Sequence, residues 1–417
     1  MPRTTAPSAS SALIPLFCSA PLVALAPTGS AFAGPLNPPA GAVGATGKAL
    51  AEVEPRTAIN AVNTPGDADA TPSTFKITQP GSYYLTGNIS GESGKHGIEI
   101  ASVGVTLDLN GFSVTGVPGS LTGVILRTGG TEVRNGTVRN WGGAGVSAEP
   151  AVNTNRVIDV RAISNGGIGI YAGNYSEARN CLSTGNGSHG IAVYAFGRVE
   201  GCAARNNGGN GIDAPNSGNA IVNSVANENT GNGINAGGGN IVIGCTVSYN
   251  DQNGVETDGT VVRDCNGVQN GEYGFNLGTG STASGNRAAG NTVGGFYTFA
   301  SCVLEGNYAL GNGAGVATRN GFTISGAGNR VSNNHATGNP IGFSVFGGPS
   351  VLTGNTAIAN TATGFFVNGN TNTLLTGNTA AGNPTNYTVN AGNDSGAVIT
   401  NPGVGFSTTN PAANYAN

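Results

Sequence analysis

A glycine followed by an apolar residue recurs along the chain at a nearly fixed interval, and that interval constrains the fold more than any other feature. The pair stands at Gly123-Val124, Gly145-Val146, Gly169-Ile170, Gly190-Ile191, Gly211-Ile212, Gly233-Ile234, Gly254-Val255, Gly274-Phe275, Gly295-Phe296, Gly315-Val316, Gly342-Phe343 and Gly364-Phe365. From Gly169 to Gly315 the spacings are 21, 21, 22, 21, 20, 21 and 20 residues. The next step is 27, which places a loop insertion near "ATRNGFTIS". A period of this length marks an array of stacked units that bury their apolar faces only against one another.

The columns within the period identify the unit. Apolar or small residues stand one and three positions after the glycine, with polar residues between them, as in Ile212-Asp213-Ala214 and Ile234-Asn235-Ala236. Alternation with a period of two is the mark of a β-strand. A second apolar column lies twelve residues before the glycine (Val157, Ala178, Val199, Ile221, Val242, Val262, Ala283, Val303). Asparagine stands four before it at 165, 186, 207, 229, 250, 270, 291 and 360. Helical repeats are excluded, because 72 glycines and abundant asparagine oppose helix formation. Coils of about 21 residues with about three short strands would stack at ~4.8 Å, so that about a dozen of them make a rod of roughly 55–60 Å. Stacked asparagine amides can then donate to and accept from one another along the axis.

The 21-residue coil, the asparagine column, repeats such as "GNTAIANTATGFFV", and the stretch "FKITQPGSYYLTGNI…GIEIASVGVTLDLNGFSV" (75–114) together resemble one family. The chain is similar to bacterial exported right-handed parallel β-helix proteins of the pectin-lyase-like superfamily over about residues 74–390. The resemblance implies an all-β solenoid. It leaves function open, because the superfamily holds polysaccharide lyases, hydrolases, epimerases and non-catalytic surface proteins.

Charge is scarce, at 9% of residues, and the net charge is −4. Seventeen basic residues never run together, which excludes a nucleic-acid or anionic-membrane footprint. Residues 1–33 read as a secretory signal: Arg3 is the only charge in the first 47 residues, "ALIPLFCSAPLVALA" is apolar, and Ala31-Phe32-Ala33 offers a cleavage site. Residues 34–73 read as a Pro/Ala/Gly-rich linker, 74–405 as the β-helix with its N-terminal cap, and 406–417 as a C-terminal tail. The expected location is therefore outside the cytoplasm: extracellular, at the cell surface or periplasmic. No apolar run in the mature chain is long enough to span a membrane. Five cysteines remain once the signal is removed. Cys181, Cys202, Cys245 and Cys265 share a column with Ser224, which reads as a small buried corner position or as neighbouring-coil disulfides; with Cys302 the number is odd, so at least one stays unpaired or pairs with another chain.

The candidate chemistry centres on "GVETDG" (254–259). Val255 and Thr257 fall in inward columns, so Glu256 and Asp258 face out, ~6.7 Å apart along one strand. That spacing is compatible with an inverting acid/base pair. The motif resembles the N-T-D-G of polygalacturonases, with Asp258 at the aspartate position. Glu256 replaces the asparagine, however, the paired aspartates of the next coil are absent, and no G-H-G or R-I-K follows. Asp213, Asn235, Glu256 and Asn276 share one outward column and form a candidate ligand-binding ladder for sugar hydroxyls. No cofactor is implied, and Ca²⁺ is the one ion these oxygens could hold, with waters completing its shell. No Arg or Lys stands in these columns to serve as a lyase base. Arg156, Glu177 and Arg198, with Arg179 and Glu200 beside them, read as a structural salt ladder, and His96, His189 and His335 as exposed turn residues. The leading functional expectation is an exported protein that binds or scaffolds polysaccharide without turnover. The alternative is a carbohydrate-active enzyme, a lyase, hydrolase or epimerase, acting on an extended glycan.

Overall fold

A computed structural model describes residues 54–313, 316, 319–369, 371–400 and 410–417. The signal read at 1–33 and the linker as far as residue 53 lie outside the described residues. Each coil carries three short strands. In the coil that opens at Gly233 these are Ile234–Ala236, Ile241–Ile243 and Thr246–Ser248. Corresponding strands stack in parallel, coil on coil, to make a parallel β-helix. Among the described residues the first stack holds fifteen strands, from Ser73–Ile77 to Thr385–Val389. The second and third stacks are joined into one sheet by the eight-residue strands Glu132–Arg139 and Arg156–Ile163, which run through the corner between them. There are thus fifteen coils rather than about a dozen. The extra ones are the two entry coils and the last, where Asn386-Tyr387 stands in place of glycine and an apolar residue.

The glycine column exists for close approach. At Gly190, Gly233 and Gly254 an added Cβ would lie 2.6, 2.6 and 2.5 Å from the carbonyl oxygen of the next glycine in the stack, and none of these three has a positive φ. Left-handed backbone occurs instead at the turns, both between the first and second strands, as at Gly239 (φ 71°), and at the two corners that flank the third strand. Asn223 (φ 50°) and Gly244 (φ 65°) occupy one of these corners, and Asn206 (φ 50°) and Tyr249 (φ 55°) the other. Glycine and asparagine tolerate this conformation best, which accounts for much of their abundance.

Apolar residues from all three strands fill the core. From Phe275 onward the position after the glycine is aromatic, and Phe275, Phe296, Phe322, Phe343, Phe365 and Tyr387 form one continuous stack with ring centroids 4.6–5.1 Å apart. Polar ladders line the corners. The expected asparagine column is unbroken from Asn165 to Asn383. Each rung is satisfied several ways: Asn250 Nδ2 donates to Asn270 Oδ1 (2.9 Å) and to the Ala226 carbonyl (3.1 Å), while its Oδ1 accepts from the Asn229 backbone (3.1 Å) and side chain (2.9 Å). A second ladder runs through Cys181, Cys202, Ser224, Cys245, Cys265, Asn286 and Asn307 to Asn414. The five cysteines of the described residues are buried and free.

Five expectations are corrected. The register slips near the insertion: Phe296 pairs with Phe322, so Gly321 rather than Gly315 continues the glycine column. The extra residues therefore precede the strand Asn320–Ile324, and Leu304, not the half-buried Val303, points into the core. The histidines are not exposed turn residues. His96 is buried in a strand, His189 is half-buried, and His335 lies in the third stack beside Tyr308. In the segment read as a tail, Asn414–Ala416 forms a strand of the last coil, and in the segment read as a linker Thr57–Ala58 pairs with Tyr83–Tyr84.

Candidate functional site

The outward column of the first stack runs in strict register: Tyr171, Ala192, Asp213, Asn235, Glu256, Asn276, Tyr297. Strand alternation turns these side chains away from the core. All four residues of the expected binding ladder are therefore contiguous. Asp213 Oδ1 accepts hydrogen bonds from Asn210 Nδ2 and Asn235 Nδ2, both at 2.8 Å. Glu256 Oε2 accepts from Asn253 Nδ2 and Asn276 Nδ2, again both at 2.8 Å. The same arrangement is built twice, two coils apart. In each, one amide comes from three residues earlier in the same coil and the other from the next coil.

The first of these amides belongs to a column that the sequence analysis missed, the residue just before the repeat glycine. Its side chain accepts the backbone N–H of the next coil. His96 Nδ1 accepts from Thr122 (3.1 Å), His189 Nδ1 from Asn210 (3.0 Å), Asn210 Oδ1 from Asn232 (2.9 Å), Asn232 Oδ1 from Asn253 (3.0 Å) and Asn253 Oδ1 from Tyr273 (3.0 Å). The signal was present in the sequence as a run of His and Asn before glycine.

Glu256 is half-buried, and burial raises its carboxyl above the ordinary range, with the charge of Glu272 adding to the effect; the amides of Asn276 and Asn253 oppose it. Asp258 lies just past the strand and is exposed. The two share a shallow pocket of about 250 Å³ lined by Glu256, Thr257, Asp258, Gly278, Thr279 and Phe299. A larger depression of about 600 Å³ lies on the second stack between Glu305, Arg330, Val351 and Leu374, away from this ladder.

Aromatic rings flank the polar stretch. On one side Tyr171 faces out beside Tyr194, and Tyr175 and Phe196 stack at 5.0 Å with an 11° interplanar angle while staying 58% and 56% exposed. On the other side Tyr273, Tyr297 and Phe299 pack at 5.1 and 5.2 Å. Tyr194, Tyr175, Phe196 and Phe299 lie in turns, and no aromatic column here runs through more than two successive coils, which left only a weak repeat signal. From Asn206 to Val262 the sequence contains no Lys or Arg. The asparagines present amide nitrogen, not oxygen, to both carboxylates, so a cation held here would require those amides to turn. Among the described residues no three His, Cys, Asp or Glu side chains are grouped to hold a metal.

The charged strands of the second stack form the expected salt ladder. Arg156 bridges Glu177 (3.1 Å) and Glu132 (2.8 Å), and Arg198 pairs with Glu200 (2.9 Å). The ladder continues through Arg134 and Asp108 to Arg56 in the entry coils.

Residues 96–240 match the model of the family described as "Right handed beta helix region". The fold is that of a right-handed parallel β-helix. A comparison with curated proteins finds no match in sequence. Among solved structures, the β-helix is similar to the A-module of mannuronan C-5 epimerase AlgE4 from Azotobacter vinelandii, at 15% identity over 75% of this chain and 90% of that one, with a TM-score of 0.44. It is also similar to the receptor binding domain of the Siphovirus 9NA tailspike (9% identity, 79% and 75% covered, TM-score 0.47) and to pectate lyase Pel9A (16% identity, 74% and 72% covered, TM-score 0.25). At these identities the likeness is one of fold. Among the described residues of this β-helix protein, no helix is long and apolar enough to cross a membrane.

Proposed function

We propose that this is an exported protein, surface-bound or extracellular, that binds an extended polysaccharide along the outward face of the first stack without turning it over. The observation that supports this most is the layout of that face. Aromatic clusters at Tyr171 and Tyr297 lie six coil steps apart, ~29 Å, with Ala192 and then the four amide and carboxylate residues Asp213, Asn235, Glu256 and Asn276 between them. Exposed rings offer flat apolar surface to the C–H faces of sugars, and the ladder offers acceptors and donors to their hydroxyls. A binding face needs this spread of contacts, whereas catalysis needs a concentrated set. The test is a glycan array with the purified chain, followed by Tyr175→Ala/Phe196→Ala on any ligand found. Retained affinity in the double variant, at unchanged melting temperature, would remove the aromatic contacts from the proposal.

One observation favours the enzymatic alternative. Glu256 is held protonatable by burial beside the exposed carboxylate of Asp258, in a pocket. A carboxyl with a raised pKa sharing a pocket with a second carboxyl is an arrangement that general acid/base catalysis uses. Cleavage or epimerisation of an array glycan that is lost in both Glu256→Gln and Asp258→Asn would establish this alternative and displace the non-catalytic one. The assay is run with and without Ca²⁺, since the ion is the one cofactor the ladder could recruit.

A further inference from the structure

The repeated construction around Asp213 and Glu256 carries more than the existence of a binding face. We infer that the ligand is an extended β-linked chain of neutral or amino sugars, read two residues at a time, and not a polyuronate. This rests on the polysaccharide-binding reading above.

Three features lead to it. The first is polarity. Asp213 and Glu256 each use one oxygen to accept two amide hydrogens, and the other oxygen makes no hydrogen bond among the described residues. An ionised carboxylate accepts only, so above the raised pKa of Glu256 the facing group is a donor, a hydroxyl or an ammonium. The second is charge. Asp251, Asp258 and Glu272 lie on the same strands or their adjoining turns, and no Lys or Arg occurs between Asn206 and Val262. A chain carrying a carboxylate on every sugar would meet like charges along this stretch, with Arg319 beside Tyr273 as a cation only at its edge. The third is spacing. The two sites stand two coils apart, ~10 Å, with Asn235 between them. One coil is close to the advance of one pyranose along an extended chain. Successive residues of an extended β-1,4 chain are turned over, so a given substituent faces a surface only at alternate residues. A face with equivalent acceptors at every second coil matches that repeat.

The test is calorimetric titration of the full-length chain with four hexamers: cellohexaose, the fully deacetylated chitosan hexamer, hexagalacturonate and maltohexaose. The expected result is binding of cellohexaose, the chitosan hexamer or both, with hexagalacturonate and the α-linked maltohexaose at least tenfold weaker. If the facing donor is an ammonium, the chitosan hexamer binds more tightly and its affinity falls with added salt; if a hydroxyl, cellohexaose equals it. Asp213→Asn/Glu256→Gln should weaken binding of the preferred hexamer at least tenfold while the variant's circular dichroism spectrum stays that of the parent fold. Binding of hexagalacturonate as tight as the others, or appearing only with Ca²⁺, would overturn the ligand class and leave the binding face intact. Equal affinity for maltohexaose and cellohexaose would overturn the two-residue register. Binding of none of the four would overturn this inference, and the binding face with it if the glycan array is also blank.

Discussion

The side-chain amide of Asn276 donates to Glu256 across a coil boundary at 2.8 Å, and Asn235 bears the same relationship to Asp213. In the Glu256 pair this hydrogen bond works against burial, which pushes the carboxyl up. The folded protein therefore holds this proton at a higher pH than the unfolded chain does. Between the ordinary carboxylate range and the raised folded value, the native state binds more protons, so the Glu256 contribution to stability falls as pH rises through that window. Glu256→Gln should flatten this part of the stability–pH curve, and Asn276→Ala should move it to higher pH. Thermal melts between pH 4 and pH 8 check both, and an unchanged curve in Glu256→Gln would count against the burial of this carboxylate.

The inner asparagine ladder should be costly to interrupt. Asn250→Ala leaves the Asn229 backbone N–H and side-chain amide without their acceptor and the Ala226 carbonyl without its donor. Loss of stability on the order of 3 kcal/mol is expected from stranding buried polar groups, read as a lower urea midpoint.

The aromatic stack should show a graded response. Phe322 sits between Phe296 and Phe343 with rings 4.7 and 4.6 Å away. Phe322→Ala opens a cavity inside the stack and should cost about 3–5 kcal/mol, with Phe322→Leu costing clearly less. Equal losses for the two would show that the ring contacts, not the volume, dominate.

Two glycines of the same neighbourhood should respond differently to alanine. At Gly254 the added methyl meets the Gly274 carbonyl oxygen at 2.5 Å, and backbone atoms have little room to shift. A loss of about 3 kcal/mol or more is expected from such overpacking. At Gly280 the same methyl meets nothing within 4 Å, and only its φ of 78° is unfavourable. There the cost should be about 1–2 kcal/mol. Chemical denaturation of the two variants decides whether contact or conformation matters more in this repeat.

The period made the coil, the core columns and the register of Asp213, Asn235, Glu256 and Asn276 legible in the sequence, because one residue of error would have turned every side chain over. Legibility failed where the period broke. The residues added before Asn320 brought Gly315-Val316 to the expected distance, a coincidence that displaced the true glycine to 321 and put Val303 in the place of Leu304. His96 and His189 were misplaced for a chemical reason: a ring nitrogen there accepts the backbone hydrogen that Asn210, Asn232 and Asn253 accept with an amide oxygen. Tyr175 and Phe196 each stand six residues after a repeat glycine, so the period places one on the other, but Ser217 ends the aromatic column in the next coil, and a two-rung column was too short to stand out.

Because every strand of the first stack pairs with its neighbour in the same register, distance along this surface is counted in whole steps rather than tuned continuously. Excising residues 233–253 would remove one step, seat Asn229 directly on Asn270, and bring Asp213 next to Glu256. The chain could be shortened or lengthened by such modules with its interior unchanged, while the pitch at which it measures a bound polymer changed by an integer.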